Sequence, residues 1–162
     1  MSHKENLTLD TSKRIALFTD GSCSTYKTKI GGWAWIAIDA FEGELYGDGA
    51  ALDTTSNRME MQAWIEGLEA IYEAVGAANI VVYSDSQYVG RGASRVPIGY
   101  DSRNNANIDL WQRLSQVIDR HIGVEFEHVK SHAGHPLNNL VHQRARQAGK
   151  VYRNLLQSTG KL

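Results

Sequence analysis

Two aspartates stand at the ends of short apolar segments, where a side chain could take part in chemistry. Asp20 follows the segment Ile15–Thr19, and Asp85 follows Asn79–Ser84. Runs of this length, rich in β-branched and aromatic residues, predict strands buried on both faces. Open α/β sheets place their sites at the carboxyl ends of such strands, so both aspartates are candidates for one site. For Asp85, capping of the helix that follows is the alternative role.

A third carboxylate, Glu60, is predicted to share the site because of its place on a helix. Several N-cap candidates at Thr54–Asn57 precede an amphipathic helix over about residues 58–74. Glu60 lies one turn before Trp64 and therefore on the same, core-facing side of that helix. The alternative is a half-exposed Glu60 that the helix dipole stabilises.

Convergence of Asp20, Glu60 and Asp85 at one end of a sheet would bring three like charges together. This arrangement costs free energy unless a cation neutralises the carboxylates. Carboxylate oxygens favour a hard divalent ion, and Mg²⁺ is the expected one. A pair of such ions can promote in-line attack of water on a phosphodiester, so these residues predict metal-dependent phosphodiester hydrolysis.

The elements that must position these carboxylates form an α/β pattern. Three strands joined by short turns predict an antiparallel meander, since parallel pairing would need a longer crossover. The alternation that follows predicts a five-stranded mixed sheet, with parallel strands after the meander and helices on both faces. The strands are predicted over residues 14–20, 32–38, 44–51, 79–84 and 124–129, and the helices over 58–74, 86–93, 108–122 and from Pro136 onward.

The composition fits a chain with one domain. Its 162 residues are 42% hydrophobic, which suits a single core over residues 13–152, with a flexible segment at 1–12 and a tail at 153–162. No apolar run approaches the roughly 20 residues of a membrane helix, and the N-terminus lacks a secretory apolar segment. A single cysteine, Cys23, fits a reducing compartment. We therefore expect a cytoplasmic protein without a membrane partner, and a monomer, since nothing in the sequence demands an oligomer.

Charge is distributed unevenly along the chain. The net charge is −1, yet no Asp or Glu follows Glu127, whereas six cations do. These cations are Lys130, Arg144, Arg146, Lys150, Arg153 and Lys161. A basic carboxyl end predicts a local surface that faces phosphates. A solvated helix face is the alternative for any one of these residues.

Five segments, in their order and spacing, resemble those of one enzyme family. They are FTDGSC (Phe18–Cys23), TTSNRMEM (Thr54–Met61), YSDSQYV (Tyr83–Val89), DLWQRL (Asp109–Leu114) and VKSHAGHP (Val129–Pro136). Across about residues 14–150 the chain resembles type 1 ribonuclease H, the bacterial-type ribonuclease HI. The resemblance implies a ribonuclease H-like fold and an endoribonuclease that hydrolyses the RNA strand of RNA–DNA hybrids with two Mg²⁺ ions. The products would carry 5′-phosphate and 3′-hydroxyl ends.

The resemblance also implies roles for four residues in catalysis. Asp20 resembles the family's aspartate that bridges both metal ions, and Glu60 and Asp85 resemble two further ligands. His132 resembles the loop histidine that assists proton transfer or product departure.

Four further residues resemble substrate contacts of the family. Asn57 and Gln87 would meet the minor groove and the ribose hydroxyls, which distinguish RNA from DNA. Thr55 would contact a phosphate of the DNA strand. Cys23 matches a small residue of the substrate groove, although packing alone would also explain it.

The sequence departs from the family at the fourth active-site carboxylate. That position, ten residues beyond the loop histidine, is His142 here, and no acid follows Glu127 to replace it. Imidazole is a softer ligand than carboxylate, so we expect weaker Mg²⁺ binding and a stronger preference for Mn²⁺. The departure leaves open a hybrid-binding module that has lost catalysis. A related nuclease of the same fold, such as a junction resolvase, is a further alternative.

The basic elements with which many bacterial members hold the hybrid are also reduced. The loop after the first strand carries Lys27 and Lys29 but lacks the asparagine of the family's DNA-phosphate pocket. Between Tyr88 and Asp109 there is no tryptophan, and the cations are Arg91, Arg95 and Arg103. We expect weaker hybrid affinity with a shallower salt dependence.

Overall fold

The computed structural model of the chain describes residues 9–25, 27–95, 106–130 and 135–162. Within these ranges, strands and helices follow one another in an α/β pattern. In chain order they are β1 (Ile15–Cys23), β2 (Ile30–Ile38), β3 (Glu44–Leu52), α1 (Ser56–Val75), β4 (Asn79–Ser84), α2 (Gln87–Ala93), α3 (Ile108–Arg120), β5 (Gly123–His128) and α4 (Pro136–Ser158). None of these helices combines the length and the apolar character that crossing a membrane requires.

The strands form one sheet in the order β3-β2-β1-β4-β5. The pairs β1–β2 and β2–β3 are antiparallel, as their short connections allow. The pairs β1–β4 and β4–β5 are parallel, and helices make the longer connections between them. The predicted five-stranded mixed sheet is confirmed. Because β1 and β4 are parallel neighbours with Phe18 opposite Tyr83, Asp20 of β1 lies beside the residue that follows β4.

Helices cover both faces of the sheet, as predicted, because successive residues of a strand point to opposite faces. Leu17 of β1 packs with Trp64 and Leu68 of α1 in the larger core, where all three are fully buried. The next residue, Phe18, packs with Val141 of α4 in a smaller core on the other face. The α4 side of β1 therefore includes Ala16, Phe18 and every second residue beyond them.

The first strand is longer than the sequence predicts. β1 continues through Gly21–Cys23 because these residues pair with Gly31–Trp33 of β2, which itself begins at Ile30. Gly21–Cys23 have no strand pattern of their own, so the partner strand determines their conformation. The connection to β2 consequently begins at Ser24.

The segments predicted at the two ends of the domain are partly attached to it. Leu9 is 2% exposed in the larger core, and the Asp10 N–H donates to Asp39 Oδ2 over 2.7 Å. At the other end, α4 continues to Ser158 and buries Leu156, so residues 153–158 are helical rather than a tail. Residues 1–8 lie outside the described residues, and the limits of the domain itself stay a prediction.

Candidate active site

Three carboxylates meet at one end of the sheet, where β4 ends and the neighbouring strand β1 continues beyond it. Asp20 lies in β1, Asp85 directly follows β4, and Glu60 lies near the start of α1. Each offers a carboxylate oxygen, and these oxygens all lie within 4.8 Å of one another. Asp20 and Glu60 are 4% and 8% exposed, and Asp85 is half-buried. The structure thus brings together the three carboxylates that the sequence predicts at one site.

The position of Glu60 depends on a close approach between α1 and β1. Gly21 follows Asp20, and a Cβ atom at Gly21 would clash with the backbone at the start of α1. The missing side chain therefore lets α1 lie directly on β1, with Glu60 beside Asp20. The first turn of α1 is also attached to α3, because the Arg58 guanidinium donates to both carboxylate oxygens of Asp109, at 3.0 and 2.8 Å.

The electrostatics of the cluster favour a bound cation. Burial raises the pKa of Glu60 well above its usual value, and the charges of Asp20 and Asp85 raise this pKa further. The pKa of Asp20 is raised as well, by burial first and Asp85 second, although hydrogen bonds with Glu60 and His142 partly lower it. Glu60 Oε2 is buried and has no hydrogen-bond partner among the described residues. A hard divalent ion would neutralise these charges and give that oxygen a partner, so the residues fit Mg²⁺ or Mn²⁺.

His142 of α4 reaches the cluster through Asp20. Its Nδ1 lies 2.7 Å from Asp20 Oδ2, while Asp20 Oδ1 accepts a hydrogen bond from the Gly21 N–H at 2.9 Å. The contact follows from strand geometry, because Asp20 lies two residues beyond Phe18 and so faces α4. The His142 side chain is 46% exposed, which leaves the imidazole between Asp20 and the solvent. Ligation of a metal ion by His142 stays a prediction.

The predicted loop histidine, His132, lies outside the described residues, and its role stays a prediction. The elements on either side of it end near the carboxylates. His128, the last residue of β5, pairs with Ser84 at the end of β4. His135, directly before α4, stacks on Phe18 of β1 with ring centroids 4.9 Å apart.

The four residues predicted to contact substrate lie at the same end of the sheet as the carboxylates. Thr55 is exposed and caps α1, where its Oγ1 accepts a hydrogen bond from the Arg58 N–H at 3.2 Å. Asn57 and Gln87 are exposed in the first turns of α1 and α2. The Cys23 thiol is half-buried at the end of β1, where burial raises its pKa, so it is protonated at neutral pH. Their contacts with a substrate stay predictions.

Two features near the cluster are absent from the sequence predictions. The first is the ion pair of Arg58 and Asp109. The sequence hint for it is that both residues fall in the segments that resemble the family. The second is a cavity lined by Arg146, Lys150 and Arg153, here called the basic cavity; the sequence predicts a phosphate-facing surface from these cations, but not the cavity. Its signal is their spacing of four and three residues, which places them on one face of a helix.

Most of the chain is similar to proteins of one family. A family model described as RNase H matches residues 12–150. The curated ribonuclease H of Rhodopirellula baltica is 38% identical over 152 residues, covering 86% of this chain and 93% of the relative.

Solved structures give the same fold. The crystal structure of LC9-RNase H1, a type 1 RNase H with the type 2 active-site motif, matches with a TM-score of 0.74 and 26% identity. This match covers 84% of the present chain and 72% of the other. The crystal structure of LC11-RNase H1 in complex with RNA/DNA hybrid matches with a TM-score of 0.70 and 17% identity, over 86% of this chain and 99% of that one.

Proposed function

Since the chain belongs to the ribonuclease H family and is therefore a nuclease, we propose that it hydrolyses the RNA strand of RNA–DNA hybrids, leaving 5′-phosphate and 3′-hydroxyl ends. The observation that carries the proposal is the cluster of Asp20, Glu60 and Asp85, with oxygens within 4.8 Å. β1, α1 and the residue after β4 each contribute one of these carboxylates, and bringing the three together is unfavourable without a ligand. The hybrid bound in the LC11-RNase H1 crystal structure, which shares this fold, supports the choice of substrate.

Two divalent ions, Mg²⁺ or Mn²⁺, are the proposed cofactors. Asp20 suits a shared ligand, because it contacts Glu60 and His142 and lies close to Asp85. When bound, the ions would activate a water molecule and neutralise charge on the leaving oxygen. The protein holds the ligands ready: the Gly21 N–H fixes Asp20, and Glu60 shares a hydrogen bond with it.

Residues around the cluster are proposed to select the hybrid by shape and by its 2′-hydroxyl groups. Asn57 and Gln87 are exposed amides, which can both donate to and accept from a ribose hydroxyl. Thr55 presents a hydroxyl and the start of α1 to a DNA-strand phosphate. His132 would assist proton transfer or product departure. Base sequence should matter little to such a site, because these contacts avoid the base-specific edges.

A second candidate is a hybrid-binding module that has lost catalysis. The observation that favours it is His142, which lies in hydrogen-bond contact with Asp20 where the family has a fourth carboxylate. The three carboxylates that remain are close enough to hold a cation, and this favours an active nuclease. The two candidates differ in cleavage but not in binding.

Cleavage of a hybrid with a labelled RNA strand, in Mg²⁺ and in Mn²⁺, separates the candidates. Double-stranded RNA, double-stranded DNA and a four-way DNA junction of matched length serve as competing substrates. We expect cleavage of the RNA strand of the hybrid alone, with ends that a ligase can join without prior phosphorylation. Tight hybrid binding without cleavage in either metal would favour the binding module, and preferential cleavage of the junction would contradict both.

We propose further that the chain acts as a monomer in the cytoplasm. Its single cysteine, Cys23, is a free and half-buried thiol, which fits a reducing compartment. Light scattering should give the mass of one chain for the free protein, and the mass of one chain plus one hybrid for its complex with a hybrid that spans a single site. A concentration-dependent dimer with higher specific activity would contradict the monomer.

A further inference from the structure

The basic cavity has a volume of about 580 Å³ and lies between α4 and the end of β1. Its cations come from α4, and His142 of the same helix also lines it. Because His142 contacts Asp20, the cavity adjoins the carboxylate cluster. The lining on the β1 side includes Ser22, Ser24 and Thr25, which carry hydroxyl groups.

Close packing of α4 on β2 fixes the two walls of the basic cavity. A Cβ atom at Gly32 would clash with the Ala145 carbonyl oxygen and with the backbone of Gly149. Any larger residue at this position would push the helix away, so the cavity depends on glycine here. Further along α4, Arg153 Nη2 donates to the Thr28 carbonyl oxygen at 3.2 Å.

The cations of the cavity form a row along α4 that leads away from the carboxylate cluster. The row starts next to His142 and continues with Arg146, Lys150 and Arg153 at spacings of four, four and three residues. Because α4 is one continuous helix, these side chains share one face. At 1.5 Å per residue, the part from Arg146 to Arg153 is about 10 Å long. No acidic residue follows Glu127 in the sequence, so α4 provides no counter-charge of its own.

We infer that the basic cavity binds backbone phosphates of the RNA strand next to the point of cleavage. The inference rests on the proposed function, because the strand that is hydrolysed must lie over the carboxylate cluster, which the cavity adjoins. Arginine, lysine and hydroxyl groups are the donors that hold phosphates in protein–nucleic acid complexes. At about 3.4 Å per nucleotide, a row of this length meets about three successive phosphates.

Such a site supplies affinity that the chain lacks elsewhere. The segment between Tyr88 and Asp109, basic in many family members by the resemblance above, has only three arginines. Phosphate contacts fix the register of a nucleic acid without reading its bases. The row on α4 would therefore hold the RNA strand in place while leaving the cleavage independent of sequence.

The test is the salt dependence of hybrid binding by the double variant Arg146→Gln, Lys150→Gln. Both side chains are exposed, so their replacement should leave the fold intact, and Arg153 is kept because of its bond to Thr28. The control is Lys13→Gln, Arg120→Gln, which removes two exposed cations from the opposite end of the sheet. Fluorescence anisotropy in Ca²⁺ gives the affinity of wild type and both variants.

Arg146→Gln, Lys150→Gln should reduce the slope of log affinity against log salt concentration by about 1.8, because it removes two phosphate contacts that each contribute about 0.9. Between about 50 and 200 mM salt, the affinity advantage of the wild type should then shrink about twelvefold. The control should keep the wild-type slope. If the variant keeps the wild-type slope while the wild type still cleaves the hybrid, this inference is overturned and the proposed function is not. Absence of hybrid cleavage by the wild type overturns the proposed function and this inference with it.

Neutral methylphosphonate linkages, placed singly along each strand, identify the phosphates involved. Linkages in the RNA strand near the cut should weaken binding by the wild type but not by the Arg146→Gln, Lys150→Gln variant. A pattern of losses confined to the DNA strand would overturn the assignment of the cavity to the RNA strand.

Discussion

Replacing Asp20 with asparagine should stabilise the metal-free protein while abolishing cleavage. Asp20 has carboxylate oxygens of Glu60 and Asp85 within 4.8 Å. At that distance and an effective dielectric constant of about 20, each pair of charges repels by about 3.5 kcal/mol. Proton uptake by Glu60, whose pKa burial raises well above its usual value, relieves part of this repulsion. We therefore expect a net gain of about 1–3 kcal/mol in the free energy of unfolding.

The gain should depend on pH in a defined direction. The pKa of Asp20 is raised above 3.8 in the folded state, chiefly by burial, so the unfolded chain loses this proton at a lower pH. The wild type therefore loses stability as the pH rises from the unfolded pKa through the folded one. The asparagine variant lacks this loss. The difference between the two proteins should be smallest below pH 3.8 and largest above neutral pH.

Urea denaturation in EDTA measures the gain, and Asp119→Asn, which removes an exposed carboxylate of α3, is the matched control. Saturating Mg²⁺ should reduce or reverse the difference, because the wild type gains the free energy of binding and Asp20→Asn does not. If Asp20→Asn is no more stable than the control in EDTA at any pH, the carboxylates do not repel one another and the reasoning is refuted.

Three further predictions concern His142, His132 and Asp39. His142→Asp should lower the Mg²⁺ concentration for half-maximal cleavage, because it places a carboxylate beside Asp20. If the titration curves of wild type and variant coincide in both Mg²⁺ and Mn²⁺, His142 is not a metal ligand. His132→Ala should slow turnover by about 10²-fold while calorimetry still detects metal binding, and loss of binding would make it a ligand instead. Asp39→Ala should lower the free energy of unfolding in urea by about 2 kcal/mol, because Asp39 accepts three backbone N–H hydrogen bonds. The exposed Asp48→Ala is its control, and an equal loss in both would contradict the hydrogen-bond account.

The three carboxylates could be predicted because short-range patterns determine where they lie. Asp20 and Asp85 end apolar runs that become parallel neighbours in the sheet. Glu60 stands one turn before Trp64, which is fully buried, and helical periodicity alone places both on the inner side of α1. Each prediction needs only the period of a strand or a helix.

The remainder depends on contacts between distant parts of the chain. The family resemblance predicts that His142 lies at the site, but its hydrogen-bond contact with Asp20, 122 residues away, forms because α4 packs closely on Gly32 of β2. Gly21–Cys23 have the composition of a loop and become a strand only through pairing with β2. The shared helical face of the α4 cations is visible in the sequence, but only the fold shows that β1 provides the opposite wall of the basic cavity.

Glu60→Gln tests most directly whether the carboxylate cluster carries out hydrolysis of the RNA strand of a hybrid. Glutamine keeps the size of the side chain and its capacity to bond with Asp20, but it removes the anionic oxygen that has no partner among the described residues. The measurement is the rate of RNA-strand cleavage in Mg²⁺ by wild type and variant, with circular dichroism to compare their folds. We predict cleavage by the wild type and a loss of about 10³-fold or more in an equally folded variant. Equal rates for the two proteins would contradict the claim.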